Sequence, residues 1–509
     1  MSDRKNNRFG SAAVAIAIAM MTCLTADDAI PQSFSPGLPD STEQLQQAVS
    51  DLREALKGTQ RQSAPLKWAG IENDLGAVLF RLGERSSNPA RLEEAIAAFR
   101  NALLERTRER APLDWAVTET NLGAALSMLG ERMGEPARLE ESISAFREAL
   151  KEGTRERAPL DWAMTNMNLG NSLRMLGERE NGTTHLEEAI AAYRAALKEW
   201  NRERQPLQWG MTKANLGAAL ETLGARQDSI ARLDAAVSAY DEALTALSRE
   251  RMPLQWAMTQ TNLGNALLVL GQREAGTTRL VQAVAAFRQA LTEFRRDRAP
   301  LQWAATRNNL AAALEALGVR ENSIPRLEEA LAAYHDALTQ RPRDRVPLAW
   351  AVTQSNLAGV LMEIGRRESG TEHLEAAVGA FRKALEEITR ERAPLQWAGS
   401  QHDLGTALSA LGARQSGTDR LREAVAAYDE ALKEYTRERV PLQWSLTTGN
   451  KGVALMRLAE RLADAAMAQT ALEQIETAFT TTRDAGRADA AYYQARLADA
   501  QALVAKLKQ

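Results

Sequence analysis

Three rows of side chains recur along this chain at one fixed spacing, and each is of a type that could do chemistry. Asparagine stands at Asn121, Asn168, Asn215, Asn262, Asn309, Asn356 and Asn450, with Asp74 and Asp403 in the two remaining places of the register. A carboxamide both donates and accepts, so such a row could hold a peptide backbone or bond one structural element to the next. Arginine recurs at Arg85, Arg132, Arg179, Arg226, Arg273, Arg320, Arg367, Arg414 and Arg461. That row could bind a polyanion. With acidic residues close by in sequence, the better-supported reading is neutralisation of helix C-termini or pairing with the glutamates that open the next helix. Nine of the ten tryptophans lie in the motif Pro-Leu-x-Trp, mostly just after an Arg-x-Arg pair. Aromatic rows can stack sugars or bases, but repetition in every unit suits a wedge between units with an arginine over its face. The Arg-x-Arg pairs themselves read as solvated helix ends.

Catalytic chemistry has little to stand on. His185, His335, His373 and His402 are scattered, and Cys23 is the one cysteine, so there is no disulfide framework within the chain and no cysteine-based metal site. There is no Gly-x-Ser-x-Gly elbow, no His-Glu-x-x-His pair and no phosphate-binding loop. Thr448-Gly-Asn-Lys-Gly falls in the ordinary Asn-x-Gly register of the repeat. No cofactor or metal is implied. A net charge of −3 over 509 residues gives no electrostatic reason to expect a nucleic-acid partner.

The rows are set by a repeat. The proline of Pro-Leu-x-Trp stands at Pro65, Pro112, Pro159, Pro206, Pro253, Pro300, Pro347, Pro394 and Pro441, always 47 residues apart, the signature of a stacked array. In one unit Pro112 opens a helix, since its missing N–H has no intrahelical partner there. Leu122, Ala125, Leu126 and Leu129 follow at three- and four-residue steps as one apolar stripe. Gly130 is expected to end this helix in the left-handed conformation. A second helix is expected from about Leu139 to Arg155, with Leu139, Ile143, Phe146, Ala149 and Leu150 as its apolar stripe. Glu140 and Glu141 in its first turn and Arg155 in its last complement the helix dipole.

The run Asn-Leu-Gly-x-Ala-Leu-x-x-Leu-Gly (Asn121 to Gly130), followed by Ala-Phe-x-x-Ala-Leu (Ala145 to Leu150), resembles the tetratricopeptide repeat. The resemblance covers about residues 41–480 and implies an all-α fold, an α-α solenoid in which antiparallel helix pairs wind into a right-handed superhelix. It also implies that Gly123 lets the second helix pack closely and that the asparagine slot faces a concave groove. The unit is longer than the family's roughly 34 residues, so both helices are expected to gain about a turn.

The ends follow the same logic. Residues 41–64 read as a capping helix, 65–482 as nine helix pairs, and 483–509 as a C-terminal capping helix with a polar face. Ahead of them, Arg4, Lys5 and Arg8 precede an apolar run at 11–21 and Leu24-Thr25-Ala26, the order of a secretory signal peptide over residues 1–26. An uncleaved membrane anchor and lipidation at Cys23 remain alternatives; either would be the chain's only attachment to a membrane. Pro31, Pro36 and Pro39 mark residues 27–40 as a linker. The expected location is periplasmic or extracellular.

Stacking explains what repeats, so specificity is expected where units differ on the groove face. That face offers Met164, Asn168, Asn171, Arg174 and Met175 in the third unit, Met211, Asn215 and Glu221 in the fourth, and Met258, Asn262 and Asn265 in the fifth. Asn121, Asn309 and Asn356 extend it. The expected function is a non-enzymatic, exported scaffold binding peptide or helical segments of other proteins. Self-association into an envelope structure is the alternative, and glycan binding by the tryptophans a more distant one.

Overall fold

A computed structural model of the chain describes residues 41–86, 88–487 and 489–509. The expected signal segment 1–26 and linker 27–40 lie outside the described residues. The described chain is helical, without strands, and divides into two compact units, one ending at Leu270 and the other beginning at Gly271.

Helix α1 (Thr42–Gly58) opens the first unit, its start fixed by a capping box between Ser41 and Gln44. Helix pairs follow: α2 (Pro65–Arg85) with α3 (Ala90–Leu103), α4 (Pro112–Met133) with α5 (Pro136–Ala149), α6 (Pro159–Arg179) with α7 (Thr184–Ala196), and α8 (Pro206–Arg226) with α9 (Ile230–Leu244). The series continues through α10 (Pro253–Arg273) and α11 (Thr278–Ala290), α12 (Pro300–Glu321) and α13 (Ile324–Leu338), and α14 (Pro347–Arg367) and α15 (Glu372–Leu385). It ends with α16 (Pro394–Arg414) and α17 (Asp419–Ala431), α18 (Pro441–Leu462) and α19 (Ala465–Asp484), and the closing helix α20 (Asp489–Leu507). Every Pro-Leu-x-Trp proline is the first helical residue of its unit. Leu503 and Val504 of α20 bury against α18 and α19.

Several expectations are corrected. Gly130 does not end its helix: α4 runs on to Met133, and Gly134 takes the left-handed cap at φ 68°. Gly130 instead admits the next helix, because a Cβ there would lie 2.9 Å from Cβ of Arg138. The second helix of this unit stops at Ala149, so Arg155 lies in the loop beyond it. Of the two helices only the first is lengthened, 21 residues in α6 against 13 in α7, and the loops at 180–183 and 197–205 hold the rest of the 47-residue unit. Gly123 serves as expected: a Cβ there would meet the Phe146 ring at 2.7 Å.

The loops are also bound more tightly than solvated ends would be. Glu152 is gripped by arginines of two successive loops, Arg108 at 2.6 Å and Arg157 at 2.5 Å, and Glu105 is held likewise by Arg61 and Arg110. The first arginine of such a pair also lies over a tryptophan, with Arg155 6.0 Å from the Trp162 ring and Arg343 5.2 Å from that of Trp350. Trp200, outside the motif, is buried as a loop plug, and Leu247, Phe294 and Ile388 fill the corresponding place in other units. Arginines of the row do neutralise helix C-termini, but those of the preceding unit, except that Arg367 bonds Glu363 of its own helix. Arg132 of α4 donates to the Gly83, Glu84 and Ser86 carbonyls at the end of α2, and Arg226 treats Gly177, Glu178 and Gly182 in the same way. Each such staple satisfies carbonyls that a helix end leaves unpaired.

Candidate functional site

Within each compact unit the first helices of successive pairs lie against one another, so one face of each falls into a common row. Residues four apart on a helix share that face, which places Leu113, Val117 and Asn121 in line along α4. A threonine or serine inside the first helix, whose threonine hydroxyls also bond the carbonyl four residues earlier, helps to join the rows. Thr118 bonds Asn73 of the helix before at 3.3 Å, Thr165 bonds Thr120 at 2.9 Å, Ser400 bonds Ser355 at 3.2 Å, and Thr447 bonds Nδ1 of His402 at 2.8 Å. These partners lie 45 residues apart, and sequence reasoning missed them. The signal was a Thr or Ser six residues after the motif proline in eight of the nine units.

The asparagine row joins this ladder. Asn121 donates to Asn73 Oδ1 at 3.1 Å, and Asn215 donates to Asn171 Oδ1 at 2.9 Å, an oxygen that also accepts from the Tyr193 hydroxyl at 2.8 Å. Asn309 Oδ1 accepts from Asn308, and Asn450 Oδ1 accepts from Tyr493. Asn121, Asn168, Arg174, Met211 and Glu221 are buried, whereas Met164, Asn171, Met175, Asn215, Met258, Asn262, Asn265, Asn309 and Asn356 are half-buried. All of these lie on first helices. Asn309 and Asn356 belong to the second compact unit and the rest to the first.

Charged side chains on this face are held internally. Arg174 pairs with Glu178 at 2.5 Å, and Tyr240 donates to Glu221 at 2.8 Å. Burial pushes the Glu221 carboxyl up to about 8; the Tyr240 bond opposes this and the nearby Glu178 charge adds to it. The same pairing recurs in the other unit, where Tyr334 donates to Glu315 at 3.1 Å and burial again raises the carboxyl to about 8. A tyrosine thus replaces the second helix's phenylalanine where its first helix carries one of these polar groups. The spacing that shows this is 19 residues, Glu221 to Tyr240 and Glu315 to Tyr334.

Asp403 takes an asparagine slot and is 3% exposed, and its Oδ1 has no hydrogen-bond partner. Burial, then the charges of Glu315 and Glu363, push its carboxyl well above the usual range. A raised folded-state value means that the folded chain binds the extra proton, so stability falls as pH rises above the ordinary aspartate range. Asp403→Asn is expected to stabilise the second unit by about 1–3 kcal/mol at pH 8, and by much less at pH 4. Urea unfolding at the two pH values measures this; equal effects at both would refute the assignment.

Among the described residues no three His, Cys, Asp or Glu side chains form a group able to hold a metal ion, and no helix is long and apolar enough to cross a membrane. The arrangement offers hydrogen-bonding and apolar surface on a stack of paired helices, the architecture of a recognition solenoid. Residues 130–204 match the profile of the tetratricopeptide repeat, and the 47-residue period repeats that unit to either side. No curated protein sequence matches it. Solved structures similar to it include the human IFIT1 dimer with PPP-AAAA, at 15% identity over 91% of this chain and 96% of that one with a TM-score of 0.37. Yeast Tom70 is similar at 12% identity, 91% and 96% coverage and a TM-score of 0.35. The Cut9–Hcn1 hetero-tetramer of APC/C is similar at 11% identity, 92% and 94% coverage and a TM-score of 0.34.

Proposed function

We propose that this chain is an exported, non-catalytic scaffold whose first-helix face binds peptide or helical segments of partner proteins. The observation that carries the proposal is the half-buried asparagines, Asn215 and Asn262 on first helices of one compact unit and Asn309 and Asn356 on first helices of the other, one carboxamide per repeat. Such groups can bond a peptide backbone without regard to its sequence, while the half-buried Met164, Met175 and Met258 beside them adapt to varied apolar side chains. The surface is formed before the partner arrives, so little ordering entropy opposes binding. Export is supported by the charged, apolar and small-residue order of residues 1–26.

The test is affinity capture from the cell envelope with the full chain, followed by calorimetry on the captured partner. Asn215→Ala with Asn262→Ala, both in one compact unit, is expected to weaken that partner at least tenfold at unchanged helicity. A partner indifferent to the double variant would defeat the reading. N-terminal sequencing of the tagged, fractionated protein addresses export, with a start at Asp27 expected after cleavage behind Ala26.

A further inference from the structure

One asparagine in the chain is followed by glycine, and it lies where the fold leaves it free. Asn181 and Gly182 stand in the loop between α6 and α7, and both are exposed. A Cβ at Gly182 would meet nothing within 4 Å, and the backbone there is not left-handed. Among the described residues no hydrogen bond holds the Asn181 carboxamide or the Gly182 N–H. The neighbouring acid is occupied elsewhere, since Glu180 Oε2 lies 2.7 Å from Nδ1 of His185. Only the far side of the linkage is fixed. The Gly182 carbonyl accepts from Arg226 at 2.8 Å, as part of the staple that ties α8 to the end of α6.

The other repeats show that the fold does not require this asparagine. The same staple reaches Gly276 from Arg320, Gly370 from Arg414 and Gly417 from Arg461. The residues before those glycines are Ala275, Ser369 and Ser416. Asparagine in this place brings a reaction that alanine and serine cannot undergo.

We propose that Asn181 is a site of spontaneous modification, converting to isoaspartate and aspartate through a succinimide. The Gly182 nitrogen attacks Cγ of Asn181. The N–Cγ bond forms, the bond from Cγ to the side-chain nitrogen breaks, and that nitrogen leaves as ammonia with the proton of the Gly182 N–H. Water then opens the five-membered ring, so that one water is consumed for each ammonia released. Addition at Cγ gives aspartate; addition at the main-chain carbonyl carbon gives isoaspartate, with the chain now running through Cγ. Ring closure folds the carboxamide back over the next peptide nitrogen, and glycine permits this because it has no Cβ to obstruct the turn. Both products carry a new negative charge. Isoaspartate also lengthens the main chain by one carbon–carbon bond, about 1.5 Å. An N–H···O bond holds over a range of only about 0.5 Å, so Gly182 is drawn off Arg226 and the staple loosens. It joins the helices that carry Asn171 and Asn215, which bond each other.

The full chain is incubated at pH 7 and at pH 9, and its tryptic peptide 180–194 is followed by mass spectrometry and by isoaspartyl methyltransferase labelling. Asn181 is expected to be lost at least tenfold faster than Asn322, which precedes serine and whose Oδ1 accepts from Arg367 at 3.1 Å. The loss should be faster at pH 9, because the attacking nitrogen must shed its proton. Gly182→Ala, with room for its Cβ, should slow the loss at least tenfold at unchanged thermal unfolding. Asn181→Ser, as in Ser369-Gly370, should abolish labelling of the peptide. After ageing, amide exchange around Gly182 and Arg226 should be faster in the parent than in Asn181→Ser. An Asn181 that survives in the folded chain while the urea-unfolded chain converts would overturn the proposal, as would a loss indifferent to Gly182→Ala. Equal exchange in the two aged proteins would overturn the loosened staple. None of these readouts involves a bound partner, so they stand apart from the test of the asparagine face.

Discussion

Placing valine at Gly123 is expected to open the α4–α5 pair, with a local loss of about 3 kcal/mol. Even a single Cβ at this position would lie 2.7, 2.9 and 3.0 Å from three atoms of the Phe146 ring, and that ring is fully buried. It has nowhere to go. Better helix propensity than glycine's returns less than about 1 kcal/mol, so the steric term decides the sign. Each repeat touches only its neighbours, so the damage should be local rather than global. Amide exchange in α4 and α5 is expected to quicken about a hundredfold, as 1.4 kcal/mol per tenfold implies, while α8 and α9 change little. Adding Phe146→Ala should cost less in the valine background than in the parent, with a coupling of at least 1 kcal/mol. Additive effects in that cycle would show that Gly123 is not there for the ring.

The second large effect is a loss of stability at alkaline pH. Glu221 has its folded-state value raised from 4.5 to about 8. The folded state therefore holds a proton that the unfolded state has released, and stability falls as pH rises from the lower value through the higher one. At 1.36 kcal/mol per pH unit, that difference amounts to about 5 kcal/mol of destabilisation once Glu221 ionises. Glu315 repeats the effect in the other compact unit. Glu221→Gln keeps an oxygen to accept the Tyr240 hydroxyl and cannot ionise. It should match the parent near pH 4 and exceed it by several kcal/mol at pH 9. Urea unfolding followed by tryptophan fluorescence across that range would show it. A parent curve that is flat from pH 5 to 9 would rule out a buried, proton-holding Glu221.

These two cases differ in how visible they were beforehand. Gly123 stands in a repeated Leu-Gly pattern opposite a repeated aromatic, so its packing role could be read from one unit and checked in the next. Glu221 looked like a surface residue of a variable slot and was placed among the partner-binding residues. Its burial depends on how closely adjacent first helices approach, a distance that helical periodicity does not contain. Arg174 is a parallel case: a long charged side chain on a polar face is ordinarily solvated, yet here it is 2% exposed and paired with Glu178. Gly130 shows the limit at a boundary. Glycine suits both a left-handed cap and a close helix contact, and only the neighbouring Arg138 and Leu139 distinguish the two.

The sequence by itself determined that this is a stack of helix pairs, because a 47-residue period with one proline, one tryptophan and two apolar stripes per unit admits no other solution. It also determined where first helices begin and that the asparagines hold one register. The tertiary structure alone decided which members of the recurring rows are spent on the stack. Arginines of the row such as Arg132 and Arg226 are tied to carbonyls of the preceding unit, the loop arginines to glutamates shared between loops, and the threonines within the first helices to the helix before. The physical reason is that these bonds join residues 44 to 49 positions apart, where pairing is fixed by the angle and spacing of packed helices. Periodicity puts a residue on a face; packing decides whether that face meets water, a neighbour or a partner.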